Sequence, residues 1–269
     1  MEQLTFLAVH AHPDDEASSS GGLYRLLADQ GVRTVLVTCT NGECGDGPDG
    51  AKPDASHHDG DEVAAIRAVE LDNAVKILGI SRLIRLGYRD SGMKGWPQNE
   101  APNAFVQVDV DAVARTLAAI LDEVDATVVV TYDENGFYGH PDHIMANVIT
   151  RRALDIATSP QRLYYPVVPK SVLVQFIEGA TAKGVFLPAW ILDASHHVDD
   201  HLVTTTMDVR AFAARKHQAI ATHASQIDNA DLVTMDEELF ALLFGTEYYQ
   251  RAWSRDVTTG DETDLFGGL

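Results

Sequence analysis

Basic residues are scarce in this chain of 269: 20 Lys and Arg stand against 40 Asp and Glu, a formal net charge of −20. Such a field repels a phosphate backbone, so nucleic acid is not an expected partner. Cysteine is nearly absent. Cys39 and Cys44 lie five residues apart, which is neither a CxxC redox pair nor half of a four-cysteine zinc site, and both are expected as buried or partly buried thiols. Long apolar runs are missing as well. The first, residues 4–9, is too short to span a membrane, and no basic segment precedes it as in a signal peptide; a cytoplasmic location without membrane partners is expected. With 45% hydrophobic and 22% charged residues, the composition excludes a disordered tail, a collagen-like rod and a coiled coil.

What is present is a regular alternation. Residues 4–10 form an aliphatic run that cannot continue as a central strand past Pro13. Acids at 15 and 16 and leucines at 23, 26 and 27 predict a helix over 15–30, ended by Gly31. Strands follow over 32–38, 83–86 and 126–131, and helices over 62–78, 109–124 and 142–157. Apolar strands alternating with helices predict an α/β fold with a Rossmann-like, mostly parallel sheet covered by helices on both faces. Beyond 157 the pattern weakens to a strand near 163–168 and helices over 208–222 and 236–245. The expectation is a single domain, with a core over 1–157 and a C-terminal extension over 158–269 whose polar tail is either loose or packed back. Two connections, 40–60 and 87–107, are unusually long and both follow strands, where open parallel sheets place their ligand crevice.

Two segments carry the chemistry: His12-Pro13-Asp14-Asp15-Glu16 and His140-Pro141-Asp142-His143. Each follows a predicted strand or the loop after it, so both fall at one sheet edge. Imidazole and carboxylate donors without thiolate suit zinc held by three protein ligands with a position open for water. His12, Asp15 and His143 are the expected ligands, with Asp14 beside the water and able to take its proton. One His-Pro-Asp alone is a turn with a capping aspartate. Two copies, with three consecutive acids at one helix N-terminus, are better explained by a cation.

Together, residues 9–16 (Val-His-Ala-His-Pro-Asp-Asp-Glu) and 139–143 (Gly-His-Pro-Asp-His) resemble the signature of the LmbE/PIG-L family of zinc-dependent N-deacetylases. Residues 131–136, 89–93 and 223–227 extend the resemblance, which covers 4–150 and reaches the C-terminus in patches, including 263–266. The similarity is greatest to the mycothiol branch, comprising a deacetylase of N-acetylglucosaminyl inositol and an amidase of mycothiol S-conjugates. The resemblance implies a Rossmann-like fold, zinc on His12, Asp15 and His143, and Asp14 as general base. It also implies that His140 stabilises the oxyanion or protonates the leaving amine, that Asp142 orients its ring, and that Tyr138 polarises the amide carbonyl. Arg67 and Asp90 match positions that hold sugar and inositol hydroxyls; the plainer role for Arg67 is a surface pair with Glu70. Ser19 favours the deacetylase, since amidases commonly carry lysine there, whereas 132–135 and the C-terminal patches look more like the amidase. A paralogue acting on another N-acyl amino sugar, in secondary metabolism, is the third possibility. The expected partner is thus a small N-acyl amino-sugar substrate, neutral or cationic unless Arg67, Arg85 or Arg89 offsets the acidity. A homo-oligomer is compatible with the sequence.

Competing readings are weaker. His12-x-Asp14 with a distant His143 also fits an iron facial triad, but that site usually lives on a jelly roll, which the helical segments contradict. Gly42, Gly45 and Gly47 do not follow the first strand, so a dinucleotide fingerprint is absent. A binding module in which metal merely ties loops together would need a closed, four-ligand site. His10 is expected behind the ligands, while His57, His58, His196 and His197 are expected in solvated loops. His223 either meets the last carbonyls of its helix or serves the substrate site. Trp96 either stacks on a ligand or anchors its loop.

Overall fold

The computed structural model describes residues 3–48, 50–185, 187, 197–256, 262 and 264–269. His196, Thr263 and the start of the polar tail, 258–261, lie outside the described residues.

The fully buried run β1 (Thr5–His10) lies inside the sheet, paired in parallel with β2 (Arg33–Thr40) and β4 (Val128–Val130). Parallel strands β3 (Arg82–Tyr88) and β5 (Arg162–Val167) flank these. Two antiparallel strands complete the sheet: β7 (Thr246–Ser254) against β5, then β6 (Thr205–Asp208) at the edge. The resulting order, β3-β2-β1-β4-β5-β7-β6, reverses direction between β1 and β4. Parallel sheets open their ligand crevice at such a reversal, beyond the carboxyl ends of the strands.

Alternation along β1 sends Phe6 and Ala8 to one face and Leu7 and Val9 to the other. The first face is covered by α1 (Asp15–Asp29), α2 (Gly60–Leu78) and α7 (Ala213–Thr222), the second by α3 (Val110–Glu123) and α5 (Pro141–Leu154). The sheet is thus mostly parallel and helix-covered, as expected. A short turn, α4 (Gly136–Gly139), precedes α5, while α6 (Lys170–Ala182) packs on α9 (Glu237–Phe244), with α8 (Ala230–Val233) before it.

Several expectations need correction. The strand expected over 126–131 pairs only at Val128–Val130, and the helix expected to 157 ends at Leu154. The helix expected from 208 begins at Ala213, because Asp208 ends edge strand β6 and a short 3-10 turn, Arg210–Phe212, intervenes. Helix α6 and strands β6 and β7 are additions to the expected elements. The end of the chain packs back: Leu265 and Phe266 are buried, and the buried Arg162 donates to the carbonyls of Leu265 (3.0 Å) and Gly267 (2.6 Å). Among the described residues, no helix is long and apolar enough to cross a membrane.

Candidate active site

The loop leaving β1 delivers His12 and then turns sharply into α1. Asp14, the residue before that helix, has φ 116° and ψ −26°, a left-handed conformation that costs a non-glycine residue about 1–3 kcal/mol. Its surroundings hold it there. Arg67, reaching across from α2, donates to the carbonyls of Pro13 (2.5 Å) and Gly42 (2.9 Å), and its Nη2 lies 3.2 Å from Asp14 Oδ2. The Asp14 amide donates to Glu16 Oε2 at 3.0 Å. Beyond β4 the second segment starts α5 with Pro141 in the first turn, and His140 as its cap: His140 Nδ1 accepts the Asp142 amide at 3.1 Å. That bond leaves the ring hydrogen on Nε2.

The two segments meet. His12 Nδ1 lies 3.3 Å from His143 Nε2 and 3.4 Å from Asp15 Oδ2, and His143 Nε2 lies 3.5 Å from Asp15 Oδ1. Tetrahedral zinc with bonds of about 2.0–2.1 Å separates its ligands by about 3.3–3.4 Å, so this donor triangle has the dimensions of one zinc face. Each ring is oriented from behind. His143 Nδ1 bonds the Gly136 carbonyl at 3.2 Å, and His12 Nε2 faces Asp142 Oδ2 at 3.3 Å and Asp90 Oδ1 at 3.7 Å, which turns the remaining nitrogens toward each other. Donor atoms of His12, His140 and His143, and of His12, Asp90 and Asp142, also lie within 4.8 Å of one another. The second of these groups sits on the far nitrogen of His12, where its carboxylates already accept the Ser91 and Gly92 amides.

Electrostatics favour a cation at this point. Burial opposes charge on His12, yet Asp90, Asp142 and Asp15 raise it well above the ordinary histidine range. Burial likewise opposes ionisation of Asp15, but His143 and His12 hold it well below the ordinary carboxylate range. Asp90 is also held low, against burial, by His12, His140 and the Gly92 amide. Burial, together with the neighbouring imidazoles, depresses His140 to about 3; burial takes His143 to about 4. Asp14 moves the other way: burial and Asp15 push it up to about 6, although Arg67 pulls it down.

The remaining expected site residues divide. Tyr138 is 43% exposed as a residue, and its ring lies 5.0 Å from the His143 ring and 6.0 Å from that of His140. Burial of its phenol and the nearby Asp15 raise the hydroxyl well above its ordinary range. Asp142 meets the His140 ring through its main chain and not through its carboxylate. Its main-chain amide holds His140, while its carboxylate serves His12 and the Ser91 amide. Arg67 is buried and makes no surface pair with Glu70; Glu70 accepts instead from the Ser225 amide and hydroxyl. Asp90 accepts from Gly92 and Cys44 amides beside His12. Ser19 is half-buried on α1, four residues past Asp15. His223 touches neither the last carbonyls of α7 through its ring nor the cluster: its Nε2 meets Glu16 Oε1 at 2.8 Å.

Other expectations resolve simply. His10 is buried behind the cluster, edge-on to Tyr132 at 5.6 Å, and its ring nitrogens have no hydrogen-bond partner among the described residues. His58 is not merely solvated, since its Nε2 bonds the Gly45 carbonyl. Trp96 anchors its loop against Gly92, where a Cβ would stand 2.7 Å from the indole. Tyr132 was not singled out from sequence. It donates to Asp15 Oδ2 at 2.6 Å, accepts the Ala11 amide at 2.8 Å and stacks on His143 at 3.9 Å; the sequence signals were its place just after a buried strand and its membership of the family-like patch 131–136. A polar groove of about 400 Å³, lined by residues including His57, Asp61 and Arg89, lies next to Asp90 along the chain.

A Rossmann-like sheet with imidazoles and carboxylates gathered at its reversal point defines an α/β protein organised around a buried cluster whose donors could hold a metal ion. Residues 7–154 match the family described as PIG-L: GlcNAc-PI de-N-acetylase, and the chain belongs to that family, as the sequence resemblance implied. It is 40% identical over 293 residues to the 1D-myo-inositol 2-acetamido-2-deoxy-alpha-D-glucopyranoside deacetylase of Geodermatophilus obscurus, covering 98% of this chain and 97% of that protein. The protein of the same name from Acidothermus cellulolyticus is 41% identical over 286 residues, covering 98% and 95%. The 4-carboxy-2-hydroxymuconate hydratase of Pseudomonas putida KT2440 shares the fold with a TM-score of 0.61 at 17% identity, over 96% of this chain and 99% of that one. A hydratase on the same scaffold means that the chemistry has to be argued from the site.

Proposed function

We propose that this protein is a zinc-dependent hydrolase that removes an N-acetyl group from a small amino-sugar molecule of the N-acetylglucosaminyl inositol type. The observation that carries the reading is the donor triangle of His12, Asp15 and His143, flanked by a carboxylate that caps nothing and by a neutral imidazole. The full-length relatives named for this deacetylation support the substrate class. Nothing in this reading needs a membrane or a nucleic acid. A cytoplasmic enzyme formed as one domain over 1–269 fits it, the extension contributing strands to the same sheet.

His12, Asp15 and His143 would hold the zinc, which when bound acidifies water and polarises a carbonyl. Asp14 takes a proton from the attacking water as its oxygen bonds to the amide carbon. Tyr138 and His140 Nε2–H donate to the oxygen that gains negative charge. Because His140 Nδ1 is engaged by the Asp142 amide, this ring offers a hydrogen bond rather than a transferable proton. The proton on Asp14 therefore passes to the nitrogen as the C–N bond breaks, releasing acetate and the free amine. Arg67 holds Asp14 from the side, and Asp90 and Asp142 fix His12.

The test is amine release from N-acetylglucosaminyl inositol and, separately, from a mycothiol S-conjugate, by protein stripped of metal and by the same protein given one equivalent of zinc. Turnover of the first substrate should appear only with zinc. Turnover that survives chelation and dialysis would overturn the mechanism, and exclusive cleavage of the S-conjugate would move the protein to the amidase reading.

A further inference from the structure

We propose that His223 is a positioning residue for Asp14, acting through Glu16 to hold the left-handed main chain on which the aim of the Asp14 carboxylate depends. The proposal rests on the reading of Asp14 as general base. Glu16 is fully buried and divides its two oxygens: Oε2 accepts the Asp14 amide at 3.0 Å, and Oε1 meets His223 Nε2 at 2.8 Å. His223 is fully buried too and comes from 207 residues further along the chain. Aspartate before a helix ordinarily turns its carboxylate onto the first amides. Asp14 does not, since its side chain makes no cap bond. Glu16, at the second helical position, instead takes up the amide of Asp14 itself, as the acid one position later does in a capping box, and the Asp14 carboxylate is left uncommitted to the helix.

A buried carboxylate needs a partner that stays in place. The segment after α7 supplies one by being pinned on either side of the site. Ser225 donates to Glu70 of α2 through its amide (2.8 Å) and hydroxyl (2.7 Å). Gln226 Oε1 accepts the Asp46 amide at 3.2 Å, and the Ile227 amide donates to Asp46 Oδ2 at 3.1 Å. The strap 223–227 thereby ties the α1 turn, α2 and the long loop after β2 into one frame, with His223 as its contact to the turn that carries Asp14.

His223→Leu removes the donor, and His223→Gln retains an amide nitrogen at the reach of Nε2. In the leucine variant kcat should fall about tenfold or more through misaimed chemistry, with KM within about twofold and zinc still bound at one equivalent. The glutamine variant should recover most of the loss. Glu16→Ala should match His223→Leu, and the double variant should be no worse than either, because one path carries both effects. A crystal structure of His223→Leu should show Asp14 relaxed out of its positive φ. The proposal is overturned if the leucine variant keeps its kcat, if its loss follows zinc loss, or if glutamine is no better than leucine. Should the leucine variant not fold, His223→Asn, too short to reach Glu16, replaces it under the same criteria. Absence of zinc-dependent turnover in the unsubstituted protein would defeat the deacetylase reading instead, and φ at Asp14 in the variant structure would still decide what His223 holds.

Discussion

Asp14 combines a positive φ, partial burial and a carboxylate that caps nothing, three features that a structural aspartate avoids together. Its rise to about 6, caused by burial and by Asp15, suits a group that takes up and then returns a proton near neutrality. Asp14→Asn preserves size and leaves an oxygen for Arg67, so zinc content should stay at one per chain while kcat falls by about 10²–10⁴-fold. Metal analysis beside single-turnover kinetics checks this, and a rate within tenfold of the parent would remove Asp14 from the base role. His12, Asp15 and His143 were legible because they belong to two His-Pro-Asp segments, each placed after a buried strand or the loop that follows it, and the structure brings their donor atoms to 3.3–3.5 Å. What orients them was not legible. Asp142 reaches His12 over 130 positions and Tyr132 reaches Asp15 over 117, pairings that depend on the sheet reversal rather than on local spacing. Arg67 illustrates the limit: i,i+3 logic puts it on a solvated face, but that part of α2 faces the site loops.

Helix α1 is broken at Ser20, whose φ of −135° and ψ of 21° leave the helical region. The second half then has its own N-terminus, and Glu247 of β7 caps it from outside, accepting the Gly22 (2.9 Å) and Leu23 (3.1 Å) amides. Lys216 of α7 neutralises that buried carboxylate at 2.7 Å. Gly22 is what allows this approach, because a Cβ there would stand 2.6 Å from Cγ2 and 2.7 Å from Cβ of the buried Val209. Replacing glycine by alanine inside a helix gains about 1 kcal/mol in propensity. Overpacking against a β-branched core residue costs about 1–3 kcal/mol, and Val209 has no flexible end to yield. Gly22→Ala should therefore lower stability in urea unfolding with an unchanged m-value; a gain would show that Val209 gives way. The central helices and parallel strands were readable because their periods are carried by local apolar residues. The C-terminal strands were not. β6 has only four residues, and β7 carries Glu247 and Arg251 along a half-buried strand, so its pattern depends on partners from α7 and the tail.

At the scale of the whole molecule, an excess of 20 negative charges makes every buried cation informative. Arg67 pins the Asp14 turn, Lys216 the break in α1, and Arg162 the end of the chain. Arg162 is fully buried at the start of β5, facing the Leu265 and Gly267 carbonyls and, at 3.5 Å, Glu262. Leu265 and Phe266 fill the core on the α1 side of the sheet, so the last residues close the same core that begins with Phe6. Deleting 265–269 withdraws two buried side chains worth about 1.5–3 kcal/mol each and leaves a buried guanidinium without its carbonyl acceptors. Folded domains of this kind hold about 5–15 kcal/mol in total. The truncated protein should thus unfold at a much lower urea concentration and bind zinc with an apparent affinity reduced by the unfolded fraction. An unchanged unfolding midpoint would mean that the tail is an appendage, and that Arg162 finds equivalent acceptors without it.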